Sequence, residues 1–188
     1  MLEKILQSDV KLLVFLNGLG SETFDGLWLI ITKQAYWTPF FLFLFYLIYK
    51  KIGSKQTLFV LLFIAVLITC TDQVTNLVKN NVQRLRPCNN EDIKAIIRIV
   101  QQRNSFSFFS GHAANSMAAA TFIFCLLKPY YKYMSFLFLW PLIFAYSRIY
   151  LGLHYPIDIL SGFVVGIVLG FTFFKLYKKA QAKYFPIL

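Results

Sequence analysis

Residues 57–78 read TLFVLLFIAVLITCTDQVTNLV, a run of 22 positions whose only charge is Asp72. At about 1.5 Å of rise per residue, a helix of this length covers the roughly 30 Å hydrocarbon layer of a bilayer. The whole chain shares the bias: 58% of its 188 residues are hydrophobic, 14% are charged and 19% are aromatic, with a mean hydropathy of +0.60. That is too apolar for an ordinary soluble domain of this length. The run then gives way to KNNVQRLRPCNNED, residues 79–92, where a mostly polar segment begins.

Working outward, four more apolar runs approach bilayer length: Ala35–Tyr49, Gly111–Leu127, Met134–Tyr150 and Ile157–Leu176. Five spans of about 20 residues use roughly 100 positions. Little remains for a soluble domain, so the chain reads as one all-α, polytopic membrane helix bundle over residues 1–188, with about five transmembrane helices. Residues 1–33 are apolar but broken by Asp9, Lys11, Gly18, Gly20, Glu22 and Asp25; Leu2, Ile5, Leu6, Leu12, Leu13 and Leu16 suit an amphipathic helix lying in the interface. A sixth, broken span is the competing reading. A cleaved signal peptide is not expected, because a basic leader and a small-residue cleavage site are missing. The three cysteines, Cys70, Cys88 and Cys125, cannot all pair with one another, and no structural disulfide is expected.

The 19 Lys and Arg against 8 Asp and Glu give +11. Nucleic acid is a poor partner, because the cations fall at the ends of apolar runs and form no extended basic, aromatic surface. Nine of them, Lys50, Lys51, Lys55, Lys128, Lys132, Lys175, Lys178, Lys179 and Lys183, belong to one side of the five-span topology. Seven belong to the other: Lys79, Arg84, Arg86, Lys94, Arg98, Arg103 and Arg148. If Lys79, Arg86 and Arg148 are kept for chemistry, the first side is cytoplasmic and the second faces outward. The loop at 80–109 then lies outside, and the roles of Arg84, Lys94, Arg98 and Arg103 stay open.

Three polar clusters fall on that outward side: residues 79–87 (KNNVQRLRP), 110–112 (SGH) and 147–158 (SRIYLGLHYPID). Together they suit a phosphate. Lys79, Arg86 and Arg148 offer three cations, two of them able to grip phosphoryl oxygens through paired N–H groups. Ser110 and Gly111 stand where a helix begins, so free backbone N–H groups face an anion there. His154 and His112, the only histidines, can serve as nucleophile and general acid, and Asp158 is placed four residues on to orient the ring of His154. Taken singly, each histidine also fits a satisfied polar residue in a helix bundle, and Lys79 or Arg86 fits snorkelling. Arg148 resists that account, since a charge at a span centre costs roughly 2.5–3.5 kcal/mol. Asp72, Asn76 and Lys79 share a helix face; an internal network that orients Lys79 and a plain interhelical contact are both open. The small residues Ala113, Ala114, Ser116 and Ala118 to Ala120 read as close helix packing. No paired-ligand spacing supports a metal site.

The pattern K-x6-R-P, S-G-H and S-R-x5-H-x3-D resembles the type 2 phosphatidic acid phosphatase superfamily of membrane lipid phosphatases, over residues 79–158. One departure is Phe109, where the family usually has proline before S-G-H. The resemblance implies a hydrolysis without metal or cofactor in which His154 attacks phosphorus to give a phosphohistidine, Asp158 orients it, and His112 protonates the departing lipid oxygen. It places Lys79, Arg86, Ser110, Gly111 and Arg148 on the phosphate. It further implies a bacterial cytoplasmic (inner) membrane protein with its site facing the periplasm or exterior, acting on a lipid phosphate with no obligate protein partner. Among substrates, a polyprenyl diphosphate such as undecaprenyl diphosphate ranks first. Phosphorylated lipid A comes close behind, since the short form and the F-S-G-H variant look similar to proteins of outer-membrane bacteria; phosphatidylglycerol phosphate is third. From other classes, a vanadate-dependent haloperoxidase would share the anion pocket but is soluble, and an anion transporter or channel would not need the two histidines and Asp158.

Overall fold

The computed structural model describes residues 2–185 and is all-helical over them. Helix α1 is Leu2–Gly18, α2 Glu22–Ile31, α3 Thr38–Val82, α4 Glu91–Lys94, α5 Gly111–Leu127, α6 Leu139–Tyr150 and α7 Pro156–Tyr184. The stretch Gln34–Lys94 and helix α7 contain windows long and apolar enough to cross a membrane, while α5 and the Met134–Tyr150 stretch are shorter apolar helices.

Several expected boundaries shift for local reasons. Residues 50–56, expected as a turn between two spans, stay helical except at Gly53, whose φ of 73° and ψ of 176° lie outside the helical region. Glycine tolerates that geometry without a Cβ clash. The chain doubles back there, so that Leu44 and Ile48 of the first leg and Leu61 and Ile64 of the second line one cavity. The first expected span is preceded by α2, from which an extended Lys33 and a 3-10 turn at Gln34–Trp37 separate it. Helix α3 runs on to Val82, so the loop begins at Gln83, a left-handed residue. Met134–Phe138 is a 3-10 turn leading into α6, and α7 continues eight residues past Leu176.

Helices α5 and α7 form the tightest seam. Gly162, Gly166 and Gly170 recur every fourth residue along α7, and a Cβ on them would stand 2.5–2.7 Å from the carbonyl oxygens of Ser110, Ala114 and Ala118. Small residues on both faces let the two backbones touch, which is how helices associate where no hydrophobic drive separates lipid from side chain. The seam fixes His112, at the start of α5, relative to Asp158, at the start of α7.

Helix α1 does not run beside the bundle; it crosses its end. Asp9 accepts from the Ile157 N–H at the start of α7 (2.9 Å), while Asn17 donates to the carbonyls of Ile149 and Tyr150 at the end of α6. At the other end of the molecule Lys51 lies over the rings of Tyr130 and Tyr131, and Gln181 bonds Gln56. The turns and tail that hold the nine cations therefore meet at the end opposite α1. The three cysteines are free.

Candidate active site

The motifs at 110–112 and 147–158 are each set by a recognisable local device. Helix α6 ends in a Schellman turn: Gly152 has φ of 76°, its N–H bonds Ile149 O (3.0 Å), and the Leu153 N–H bonds Arg148 O (2.9 Å). This turn delivers His154 two residues later. Pro156 opens α7, where its missing N–H costs nothing, and Asp158 at the third position reaches back to accept the Tyr155 N–H (3.0 Å). Ser110 caps α5, accepting from the Ala113 N–H, and its own N–H bonds Asp158 O (3.0 Å). The starts of α5 and α7 are thereby tied together.

Lys79, Arg86, Gly111, His112 and Arg148 line one cavity of about 510 Å³, and Arg103 joins them. His154, Asp158 and Ser110 stand buried behind that wall. All eight residues that the sequence singled out thus gather at one end of the bundle.

The hydrogen bonds of His154 fix its protonation. Arg86 Nη1 lies 2.9 Å from Nε2 while also donating to Leu153 O. A guanidinium has only donors, so Nε2 is the acceptor and the ring proton sits on Nδ1. Nδ1 faces Ser107 Oγ and Asp158 Oδ2, each at 3.3 Å. Burial, reinforced by the charges of Arg86, Arg148 and Lys79, pushes the imidazole well below its ordinary value, so it is neutral near pH 7. A neutral ring with its lone pair on Nε2 is the nucleophilic form.

Four residues of this site escaped the sequence reading of roles. Ser107 donates a short hydrogen bond to Asp158 Oδ2 and touches His154. Arg84, read as a loop charge, bridges Asp158 Oδ1 and Asp9 Oδ2, each at 2.7 Å, and stacks on the Tyr155 ring. Asp9, read as an interruption of the N-terminal helix, is 5% exposed and belongs to the same network. Ser105 holds the Arg86 guanidinium through its carbonyl and hydroxyl. The other loop cations also acquire positions: Arg98 pairs with Asp25, and Lys94 with Glu91. Arg148 donates to Thr32 Oγ1 at 2.5 Å. Among the described residues no group of three His, Cys, Asp or Glu side chains is placed to hold a metal ion.

The three motifs fall inside a stretch, residues 57–182, that matches the family model of the PAP2 superfamily. The chain belongs to the PAP2 superfamily. This is the type 2 phosphatidic acid phosphatase family that the motifs resemble, and the all-helical PAP2 fold agrees with it. A lipid A 4'-phosphatase of Bacteroides thetaiotaomicron is 36% identical over 97% of this chain and 83% of its own length. A protein of the same name from Porphyromonas gingivalis is 29% identical over 97% and 78%. An undecaprenyl-diphosphatase of Sulfolobus acidocaldarius is 27% identical over 90% and 78%. Among solved structures, a transmembrane PAP2 type phosphatidylglycerolphosphate phosphatase from Bacillus subtilis superposes with a TM-score of 0.70 at 18% identity, covering 98% of this chain and 90% of that one. The PAP2 chain described here is a lipid phosphatase, a phosphoric ester hydrolase of the membrane.

Proposed function

We propose that the protein removes a phosphate from the sugar head group of a phosphorylated saccharolipid of the lipid A class, through a phosphohistidine on His154. One observation carries the chemistry: a single cavity joins a cationic end, Lys79, Arg86, Arg103 and Arg148, to an apolar wall that includes Phe41, Leu44 and Ile68. Phosphate and acyl chain can then be held at once, with the scissile bond beside His112. The two relatives named lipid A 4'-phosphatase, each matched over 97% of this chain, support the saccharolipid over the polyprenyl diphosphate that the sequence alone ranks first.

The steps follow from the geometry. Phosphoryl oxygens take up the donors of Arg86, which releases the Nε2 lone pair of His154 that Arg86 otherwise occupies. Nε2 forms a bond to phosphorus as the bond from phosphorus to the lipid oxygen breaks, and His112 gives its proton to that oxygen. Asp158, through Nδ1–H, steadies the positive charge that develops on the ring. Water then attacks phosphorus, His112 takes the water proton, the N–P bond breaks and inorganic phosphate leaves. Backbone N–H groups at Gly111 and the start of α5 add electrostatic stabilisation to the phosphoryl oxygens.

The nine cations gathered at the end away from the site support a cytoplasmic assignment for that end. Two of the four loop cations on the site's end, Arg84 and Arg98, are committed to buried or half-buried carboxylates and drop out of that comparison. This supports a multi-pass protein of the inner membrane with its site on the periplasmic side.

The test presents purified protein, in chelator, with lipid A, undecaprenyl diphosphate, phosphatidylglycerol phosphate and phosphatidic acid. Lipid A is expected to give the highest kcat/KM, and rapid acid quenching of turnover should trap an acid-labile phosphoprotein absent from His154→Ala. An acid-stable adduct, or an unchanged rate in His154→Ala, would sink the histidine mechanism; a preference for undecaprenyl diphosphate would overturn the substrate.

A further inference from the structure

Asp72 is the one charge in the run that decides the fold, and the phosphate chemistry does not use it. It is exposed on α3 yet lines the cavity, between Ile68 on the apolar side and Asn76 and Lys79 on the cationic side. An ionisable group at bilayer depth is costly unless it faces a polar cavity and does something there. Across the cavity wall Asn115 of α5 donates to Asp72 Oδ1 at 2.6 Å. Asn115 also lines the cavity, and its own Oδ1 is buried without a hydrogen-bond partner. The pair therefore presents the Asp72 carboxylate, an acceptor held in place by the Asn115 amide, to whatever lies beside the phosphate.

Asn115 stands three residues from His112, about 4.5 Å along α5, and holds Asp72 at that level of the cavity. That separation leaves the scissile phosphate with the cations and puts the next chemical unit of the head group against Asp72. In a saccharolipid this unit is a sugar, whose hydroxyl and acyl-amide groups donate hydrogen bonds. In a polyprenyl diphosphate it is a second phosphate, which carries negative charge and accepts. Like charges at close range in a site shielded from water repel strongly, and a buried acceptor facing another acceptor stays unpaired.

We infer that Asp72 and Asn115 form a subsite for the uncharged, donor-bearing part of the head group, and that the Asp72 carboxylate selects against a diphosphate. The inference rests on the saccharolipid reading above and supplies its specificity. It follows the logic of discrimination by an added repulsion as well as an added attraction.

The experiment measures kcat/KM for three substrates, lipid A, undecaprenyl diphosphate and phosphatidic acid, in wild type, Asp72→Asn and Asn115→Ala. Phosphatidic acid has neither a sugar nor a second phosphate and serves as the reference. Asp72→Asn keeps the shape and an acceptor for Asn115, so it tests the charge alone. It should raise undecaprenyl diphosphate relative to phosphatidic acid about tenfold and lower lipid A relative to phosphatidic acid by several fold. Asn115→Ala should lower the lipid A ratio and leave the diphosphate ratio unchanged. If both variants scale all three substrates by one factor, the pair is only a clasp between α3 and α5 and the inference falls. A wild type that cleaves no lipid A overturns the saccharolipid reading instead, and the diphosphate ratio in Asp72→Asn still decides the role of the charge. Thermal unfolding of each variant separates lost folding from lost selectivity.

Discussion

The two sides of the site differ in how completely their polar atoms are used. Behind the wall, His154, Asp158, Ser107, Arg84 and Asp9 are joined, with Arg86 of the wall itself, in one hydrogen-bonded set, and Asp158 alone has four partners: Arg84, Ser107, His154 and the Tyr155 N–H. Facing the cavity, the side chains of Lys79 and His112 make no hydrogen bond among the described residues, and Arg148 Nε and Asn115 Oδ1 are buried without one. The first side is organised before any substrate arrives, which spares the transition state the cost of orienting it. The second side keeps its capacity for the ligand. Buried polar groups are normally paired, so the free side chains of Lys79 and His112 on the cavity lining are the ones left for a ligand.

The comparison breaks most visibly at the organised side. His154→Ala removes the ring nitrogen proposed to bond phosphorus, and lipid phosphate release should fall to background, with no phosphoprotein on acid quenching. On the open side His112→Asn should cost roughly 10²- to 10⁴-fold on a lipid substrate, the range of general acid–base catalysis. With an aryl phosphate, whose leaving group needs no proton, the loss of the first step should nearly vanish and adduct should accumulate. An equal loss on both substrates would assign His112 to binding instead of proton transfer.

Arg84→Met tests whether the network is a unit. It strands the carboxylates of Asp9 and Asp158 in a buried setting, a change that costs about 3 kcal/mol. Unfolding measurements should show that loss, and adding Asp9→Asn should recover part of it, a coupling that independent surface charges would lack. The smallest expected effect is a flat one. The depressed His154 value keeps the ring neutral as pH falls through 6.5, so in the His112→Asn background with an aryl phosphate the first step should show no acid limb near 6.5 from His154. The sign reverses for stability: below pH 6.5 the unfolded chain binds the proton that folded His154 refuses, so stability should decline as pH drops. A measured limb near 6.5 would mean the ring is less enclosed than its contacts indicate.

Much of this architecture was legible because it rests on local rules. Apolar runs of bilayer length marked the helices at 57–78, 111–127 and 157–176, and the motif spacing placed His154 two residues beyond a glycine and Asp158 in the first turn of a helix. What stayed hidden depends on distant partners. Asp9 meets residues 84 and 157, and Ser107 meets 154 and 158; nothing in the neighbouring sequence records such meetings. The N-terminal pattern showed an apolar face on α1 but not that its polar residues cap the ends of α6 and α7. The turn expected at 50–56 was lost for the opposite reason: a single glycine does the work usually spread over several loop residues.

The contact of Gly162, Gly166 and Gly170 with α5 bears also on motion. Two backbones that touch at three successive turns have no compliant side chains between them, so they can part only by losing the whole seam. The compliant wall of the cavity is then the one built by α3, whose two legs meet at Gly53 and carry the longer, rotatable side chains Phe41, Leu44 and Ile68. The molecule divides accordingly into a stiff half that keeps His112 and Asp158 at a set spacing, and a yielding half that forms the apolar side of the cavity.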